Sequence, residues 1–407
     1  MMRRLKGFTG VVLAILMIIC ATTAIAESEP KINAACAILQ DAVTGQVLFE
    51  KNGSCRKPMA STTKIMTAII VLENCNLDEV VTASENASKT PFTGLGLKPG
   101  EEITVRDLLT AMLIRSANDA AVALAEHVAG SVDKFAEMMN KKAAEIGAKD
   151  THFVNPNGLF AKGHYSTARD LALIARYALQ KPEFNEIIKQ TQAHIERSIN
   201  HQDCVVVSNS KFLRNYYGAD GVKSGYTKEA GRCFVGSATR NGWRLVSVVL
   251  KSSDSQSDTI ALMDYGFTNF HKLILAAPEK PALKTEVRGG KSDLVLVPNK
   301  ELYVVVQFGK ENLVKVEPII SQPTAPVKKG DRVGTLIAYL KNKKISSAEL
   351  LAAYNVDQSY AVAAWEWLRA IALPAAIFLS IAYGRTAAKD TSLSRRRLTQ
   401  KMRRTDI

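Results

Sequence analysis

The stretch Pro58-Met59-Ala60-Ser61-Thr62-Thr63-Lys64-Ile65-Met66-Thr67 runs directly into Ala68-Ile69-Ile70-Val71-Leu72-Glu73. From Ser61 to Glu73 the pattern is helical and apolar nearly all round, which predicts a buried central helix. Ser61 and Lys64 are three apart, so they share one face of it. Holding a lysine near neutrality means lowering its pKa from ~10.4 by about 3 units, roughly 4 kcal/mol against the charged form. A buried helix beside another cation is a place where that happens, and an uncharged amine can take a proton from a serine. S-x-x-K also occurs at Ser28/Lys31, Ser54/Lys57, Ser131/Lys134 and Ser208/Lys211. The spacing alone is weak; the match at Ser61 differs in opening a long apolar helix.

Outward from this helix, residues 34–39 and 47–50 read as strands around Asp41-Ala42-Val43-Thr44-Gly45, a hairpin signature. Residues 104–129, 132–146 and 167–178 carry helical periodicity, with Ser166 or Thr167 as a cap. Residues 204–207, 233–238 and 245–250 read as strands, the last two joined by a turn at Asn241-Gly242. Strands at both ends with helices between predict an α/β chain of the α+β kind, one antiparallel sheet carrying a helical cluster. Composition shifts near Ala277, where Pro278 and Pro281 punctuate the chain, and short alternating runs follow. Residues 278–350 are therefore expected to form a small β domain.

Two further motifs complete a pattern. Ser116-Ala117-Asn118 falls between helical segments, although S-x-N recurs at Ser84/Asn86 and Ser198/Asn200. Lys223-Ser224-Gly225 is the only K-[S/T]-G in the chain; it follows an expected turn at Asp220-Gly221 and leads into Tyr226-Thr227. Glycine there lets a ligand approach a strand backbone closely. In this order, S-x-x-K, S-x-N and K-[S/T]-G resemble the signature of penicillin-binding proteins and serine β-lactamases. The chain strongly resembles the low-molecular-mass penicillin-binding proteins that are D-alanyl-D-alanine carboxypeptidases. The block 58–67 resembles that family's active-site block, as do Asn155-Pro156-Asn157-Gly158-Leu159, Gly163-His164-Tyr165-Ser166-Thr167-Ala168-Arg169-Asp170 and Gly221 to Thr227. Pro326-Val327-Lys328-Lys329-Gly330-Asp331 resembles its C-terminal β domain. The resemblance spans about residues 30–350.

The resemblance implies a penicillin-binding/β-lactamase-like fold and a set of roles. Ser61 is the acylated nucleophile and Lys64 its general base. Ser116 relays protons to the leaving group. Asn118 binds the substrate backbone. Lys223 supplies charge near the substrate carboxylate and depresses the pKa of Lys64; Ser224 hydrogen-bonds that carboxylate. Gly225 and Tyr226 complete the binding strand, and the backbone N–H groups of Ser61 and Tyr226 form the oxyanion hole. Removal of the terminal D-alanine from peptidoglycan stem peptides follows, with β-lactams acylating the same serine. Two departures stand out. Position 224 is Ser where the family usually has Thr, and the loop expected at residues 251–259 lacks the arginine many relatives carry, which shifts carboxylate binding toward Lys223, Ser224 and Lys251. D,D-endopeptidase action on crosslinks and a non-catalytic cell-wall binder are the alternatives. A class A β-lactamase is disfavoured, because no Glu-x-x-x-Asn loop is seen near the end of the helical segment.

The ends of the chain carry most of its charge. The 407 residues have a net charge of +14, which on its own raises nucleic acid or an anionic membrane as partner. Residues 27–277 hold 28 Lys and Arg against 27 Asp and Glu, so the part with the chemistry is nearly neutral and no nucleic-acid partner is expected. Arg3, Arg4 and Lys6, the apolar run 11–21 and Ala24-Ile25-Ala26 read as a signal peptide cleaved after Ala26. Residues 360–384 are apolar but for small polar positions, Glu366 and Arg369; the uncharged stretch 370–384 within them has Trp365, Trp367 and Tyr383 about its ends, and eight basic residues follow in 385–407. The ~37 Å rise of residues 360–384 exceeds a hydrocarbon core of ~30 Å, so they either span a membrane or lie in its interface, with the tail cytoplasmic and the body outside. Residues 27–407 hold five cysteines and no CxxC, Cys/His cluster or HExxH, so neither a metal nor another cofactor is expected.

Overall fold

The structure, a computed structural model, describes residues 29–372 and 374–381. The expected signal peptide at 1–26 and basic tail at 385–407 lie outside these residues. The chain opens with β1 (Cys36–Asp41), β2 (Val47–Lys51), a 3-10 turn (Ala60–Thr63), α1 (Lys64–Asn74), β3 (Val80–Thr82), α2 (Glu85–Ser88) and β4 (Glu102–Thr104). Helices α3 (Val105–Ile114), α4 (Asn118–Ala129), α5 (Val132–Ile146), α6 (Ala168–Ala178) and α7 (Pro182–Ile188) follow. Next come β5 (Gln192–His194), β6 (Val205–Val207), α8 (Lys211–Asn215), β7 (Ala219–Thr227), β8 (Gly231–Arg240), β9 (Trp243–Ser252) and α9 (Ser255–Asn269). The remainder is β10 (Phe270–Ala276), β11 (Leu283–Thr285), β12 (Leu294–Pro298), β13 (Leu302–Gln307), β14 (Val314–Ile320), β15 (Arg332–Leu340) and β16 (Lys343–Ala352).

Two compact units divide the described residues: those up to Leu273 with Val305–Leu313, and Ile274–Val304 with those from Val314 on. In the first, five antiparallel strands are ordered β2-β1-β9-β8-β7, with β7 at one edge. The β1–β2 turn is held by Asp41, whose Oδ1 accepts from the N–H groups of Val43 and Thr44 and whose Oδ2 accepts from Trp243 Nε1. The β8–β9 turn is Asn241-Gly242, both at positive φ (49° and 73°), the conformation that matches strand twist in a two-residue hairpin. Thr104, Ser131 and Thr167 cap α3, α5 and α6, each accepting an N–H three residues on. Helix α1 packs among α3, α4, α5 and α6. Every residue from Lys64 to Val71 is buried, which explains an apolar pattern with no polar face. In the second unit, a sheet ordered β11-β12-β16-β15-β14 is formed, and Tyr360–Ile381 is a helix long and apolar enough to cross a membrane.

The structure revises three local expectations. The helix expected from Ser61 begins as a 3-10 turn and becomes α-helical only at Lys64. Residues 251–259, read as a loop, end β9 and begin α9, which Asp254 caps through the Ser257 N–H. Asp220-Gly221 is not a turn but part of β7, with a one-residue register shift there. The reason lies across the sheet: Ser237, Thr239 and Arg244 all bond the Asp220 carboxylate and keep the strand running.

One ion pair fastens the helical side of the first unit. Arg197 and Glu101 both have fully buried side chains and meet twice, at 2.7 and 3.1 Å. A third donor, Arg197 Nη1, reaches the Leu95 carbonyl. Removing one partner strands the other charge in the interior. Glu101→Ala is expected to destabilise the protein by about 3–5 kcal/mol in urea unfolding. A change under about 1 kcal/mol would mean the guanidinium finds water.

Candidate active site

The site begins with a strained turn. Ala60 has φ of +50°, uncommon for a residue with a Cβ. Thr62 and Thr63 donate their hydroxyls to the carbonyls of Met59 and Ala60, at 2.7 and 2.8 Å, so the turn presenting Ser61 is braced by its own side chains. His164 braces it from outside. Its Nδ1 accepts from the Val154 N–H, which leaves the ring proton on Nε2 to donate to Thr63 Oγ1. Burial, with His152 adding to it, pushes this imidazole down to about 4, so it stays neutral.

Lys64 is wholly buried, and its Nζ has three contacts: Ser61 Oγ at 3.0 Å, Asn118 Oδ1 at 2.7 Å and the Asn157 carbonyl at 2.6 Å. Two of these are carbonyl oxygens that only accept. In a neutral amine the two N–H bonds satisfy them, and the lone pair is left for Ser61. Burial, and then the nearby charge of Lys223, push the Lys64 pKa well below the ordinary lysine range, while Asp119 pulls the other way.

Each contact has its own support. The Asn157 carbonyl arrives on a tight loop in which Asn155 Oδ1 accepts from the Gly158 N–H and Thr67 Oγ1 donates to the Pro156 carbonyl. Gly158 has φ of +86°, and a Cβ there would lie 2.0 Å from the Ala60 carbonyl oxygen, so the loop abuts the serine turn only as glycine. Asn118 is the first residue of α4, and its Nδ2 donates to the Pro91 carbonyl. Asp119 accepts from the N–H groups of Leu95, Gly96 and Leu97, which ties the preceding loop to the start of α4. The break between α3 and α4 is Ser116, at φ of +70°. A non-glycine residue there costs of order 1–3 kcal/mol, and such strain clusters at functional sites.

The Lys223-Ser224-Gly225-Tyr226 run lies within β7, on the open edge of the sheet. A Cβ at Gly225 would fall 2.7 Å from the Ser61 N and 3.0 Å from the Ala60 Cβ. The strand therefore runs hard against the serine turn, and glycine is what allows it. Lys223 is buried, its Nζ donates to the Ser224 carbonyl at 3.1 Å, and burial lowers its pKa to about 7. Ser61, Lys64, Asn118 and Gly225 are thus in direct contact. Lys223 joins them electrostatically, while the Ser116 hydroxyl makes no hydrogen bond among the described residues. Lys251 is exposed on β9, its stem packed over Gly231. Sequence reasoning passed over Arg232, whose guanidinium sits 5.8 Å from the exposed Tyr226 ring. It also passed over the Asn157 carbonyl, because a main-chain atom leaves no residue-type signal.

The sequence pattern described as D-alanyl-D-alanine carboxypeptidase matches residues 23–254. The chain belongs to that family. A second pattern, the C-terminal domain of penicillin-binding protein 5, matches residues 271–358. The D-alanyl-D-alanine carboxypeptidase DacF of Bacillus subtilis is 33% identical over 321 residues, 76% of this chain and 82% of that protein. DacC of Escherichia coli is 32% identical over 360 residues, 83% and 89%. Among solved structures, penicillin-binding protein 5 of Haemophilus influenzae has a TM-score of 0.69 at 29% identity, covering 82% of this chain and all of that one. A Streptococcus pneumoniae relative titled a peptidoglycan synthesis regulatory factor, PBP3, has 0.71 at 28%, covering 80% and all of it. Family membership makes the chain a serine-type D-Ala-D-Ala carboxypeptidase, a peptidase hydrolase.

Gly225 gives the site a steric test. Gly225→Ala is expected to slow covalent labelling by a fluorescent penicillin about 100-fold, because it displaces β7 from Ser61 by an atom's width. The melting temperature should move little. Labelling at the normal rate would show that the strand and the turn separate freely.

Proposed function

We propose that Ser61 is the acylated nucleophile and Lys64 its general base, acting on peptidoglycan stem peptides that end in D-Ala-D-Ala. The observation that carries this reading is the Lys64 amine, with two of its three contacts taken by carbonyls and the third by Ser61. The Ser61 O–H proton passes to Nζ while Oγ attacks the carbonyl of the penultimate D-alanine. The developing oxyanion lies between the N–H groups of Ser61 and Tyr226. Collapse expels the terminal D-alanine, whose amine takes up a proton through Ser116. Water then enters and gives a proton to Lys64 as its oxygen attacks the acyl carbon, and Lys64 returns that proton to Ser61 Oγ as the acyl–oxygen bond breaks and the shortened peptide leaves. β-Lactams stop at the acyl-enzyme on Ser61.

Substrate is held as an added strand. Because β7 is an edge, its outward N–H and C=O groups have no ladder partner among the described residues and suit an extended peptide. Asn118 holds the peptide from the other side. Lys223 and Ser224 bind the terminal carboxylate, Gly225 gives the backbone clearance, and Arg232 and Lys251 add positive charge at the rim. No metal or other cofactor takes part in this scheme.

Around this centre the chain divides into a signal peptide (1–26), a carboxypeptidase domain (27–277), a β domain (278–350), an anchoring helix (360–384) and a cytoplasmic tail (385–407). The body is extracytoplasmic. The apolar helix Tyr360–Ile381 supports the anchor.

Ser61→Ala should abolish both penicillin labelling and D-alanine release from an acyl-Lys-D-Ala-D-Ala peptide. Lys64→Ala should do the same with the fold intact by circular dichroism; D-alanine release from that variant would remove Lys64 from the role of base. Crosslinked muropeptides assayed in parallel measure the endopeptidase share.

The pH profile follows from two lysines. Lys64 must be neutral, so kcat/KM falls on the acid side as it gains its proton. Lys223 must be charged, so kcat/KM falls on the alkaline side as it loses its own, near 7 in the free enzyme. A profile flat from pH 5 to 10 would contradict both assignments.

Truncation after Asp357 should release a soluble, penicillin-labelled protein from membranes. Retention in the membrane fraction would refute the C-terminal anchor.

A further inference from the structure

Helices α1 and α4 both begin in the active site, α1 with Lys64 and α4 with Asn118, and those two side chains touch. The helices pack on each other and end together at a second cluster. Cys75 caps the C-terminus of α1, Glu79 closes the turn that follows, and His127 lies in the last turn of α4. One ligand atom from each, the Cys75 Sγ, a Glu79 oxygen and a His127 ring nitrogen, lie within 4.8 Å of one another. His127 Nε2 is already 3.1 Å from Glu79 Oε2.

We propose that Cys75, Glu79 and His127 form a Zn2+ site that clamps the far ends of the two helices carrying the catalytic residues. The donor set argues for this ion. One thiolate, one imidazole and one carboxylate are the ligands of a borderline-soft divalent metal, not of Ca2+ or Mg2+. Around tetrahedral Zn2+, with bonds of about 2.0–2.3 Å, donors stand roughly 3.5 Å apart. Two exposed side chains and one half-buried one close the remaining distance by small rotations. The other Glu79 oxygen accepts from the Asn76 N–H at 2.6 Å, an outer contact that fixes the carboxylate. The turn itself is fixed to α3, since Leu77 and Glu79 carbonyls accept from Arg106 and Val105. Three protein donors leave the fourth position to water. On binding, the Cys75 S–H bond breaks, its proton goes to solvent and a Zn–S bond forms. The sequence hides the site because its three donors come from two distant segments and make no motif.

The competing description is a plain His127–Glu79 ion pair at a helix C-terminus. The full chain, solubilised in detergent and stripped of metal, separates the two. Titration with Zn2+ against a chromogenic chelator should give one equivalent bound per chain. His127→Ala and Cys75→Ser should each weaken it about 100-fold or more. Co2+ in place of Zn2+ should give a thiolate-to-metal charge-transfer band in the unaltered protein that Cys75→Ser loses. Zn2+ should raise the melting temperature of the unaltered protein and not of His127→Ala or of the milder His127→Asn. Retained penicillin labelling of each variant shows that it is folded. Sub-stoichiometric binding, or equal affinity in the unaltered protein and all three variants, overturns the proposal.

Discussion

A wholly buried lysine amine governs this candidate active site. Burial strips Lys64 of the solvent that would hold its charge, and the surroundings return two carbonyl oxygens and one serine. That trade suits a neutral amine and suits an ammonium poorly. The rest of the first unit serves to keep the trade fixed. Helix α1 must be buried on all sides, so other helices must surround it. A carbonyl must be delivered from residue 157, so a glycine must sit under the Ala60 oxygen. The start of α4 must be held at one height, so Asp119 collects three backbone N–H groups from the loop before it. Each is a local geometric demand, and together they account for much of the sequence that is neither core nor motif.

Lys223 adds a second demand that partly opposes the first. It lies near enough to depress Lys64, yet burial depresses it too. Two amines in one low-dielectric region do not both stay charged. An incoming carboxylate changes the balance, because it favours the charge on Lys223 and thereby disfavours a proton on Lys64. In the proposed mechanism, substrate helps to set the protonation state that its own cleavage requires.

Much of this was legible in the sequence, for identifiable reasons. The nearly all-apolar run 65–72 announces burial, Asn241-Gly242 announces a hairpin, and the Ser166-Thr167 pair announces a cap; all three are local signals. Ser61, Lys64 and Asn118 could be named because three short motifs in one order resemble a family signature, each spacing being weak by itself. What escaped was non-local. Asp220 looks like a turn residue until Ser237, Thr239 and Arg244 are brought beside it by pairing with β8 and β9. The Asn157 carbonyl belongs to a residue whose side chain is elsewhere. Arg232 reaches Tyr226 only through the β7–β8 register, which pairs those two residues directly. The Cys75, Glu79 and His127 group depends on two helices ending at the same height.

Strand β7 carries a liability along with its use. A sheet edge left open for one extended chain is open to any other, including the edge of a second copy. Natural edges are guarded by charge, and here the exposed charges stand just past the end of the strand, at Lys228 and Glu229, while the Asp220 carboxylate is already taken by Ser237, Thr239 and Arg244. Between the ends of β7, along the stretch proposed to take the peptide, the only large exposed side chain is Tyr226. Sterics act in the middle instead, because the serine turn stands an atom's width from Gly225 and crowds that part of the strand. The crowding that, in the proposed mechanism, aligns a substrate for attack thus doubles as protection against self-association.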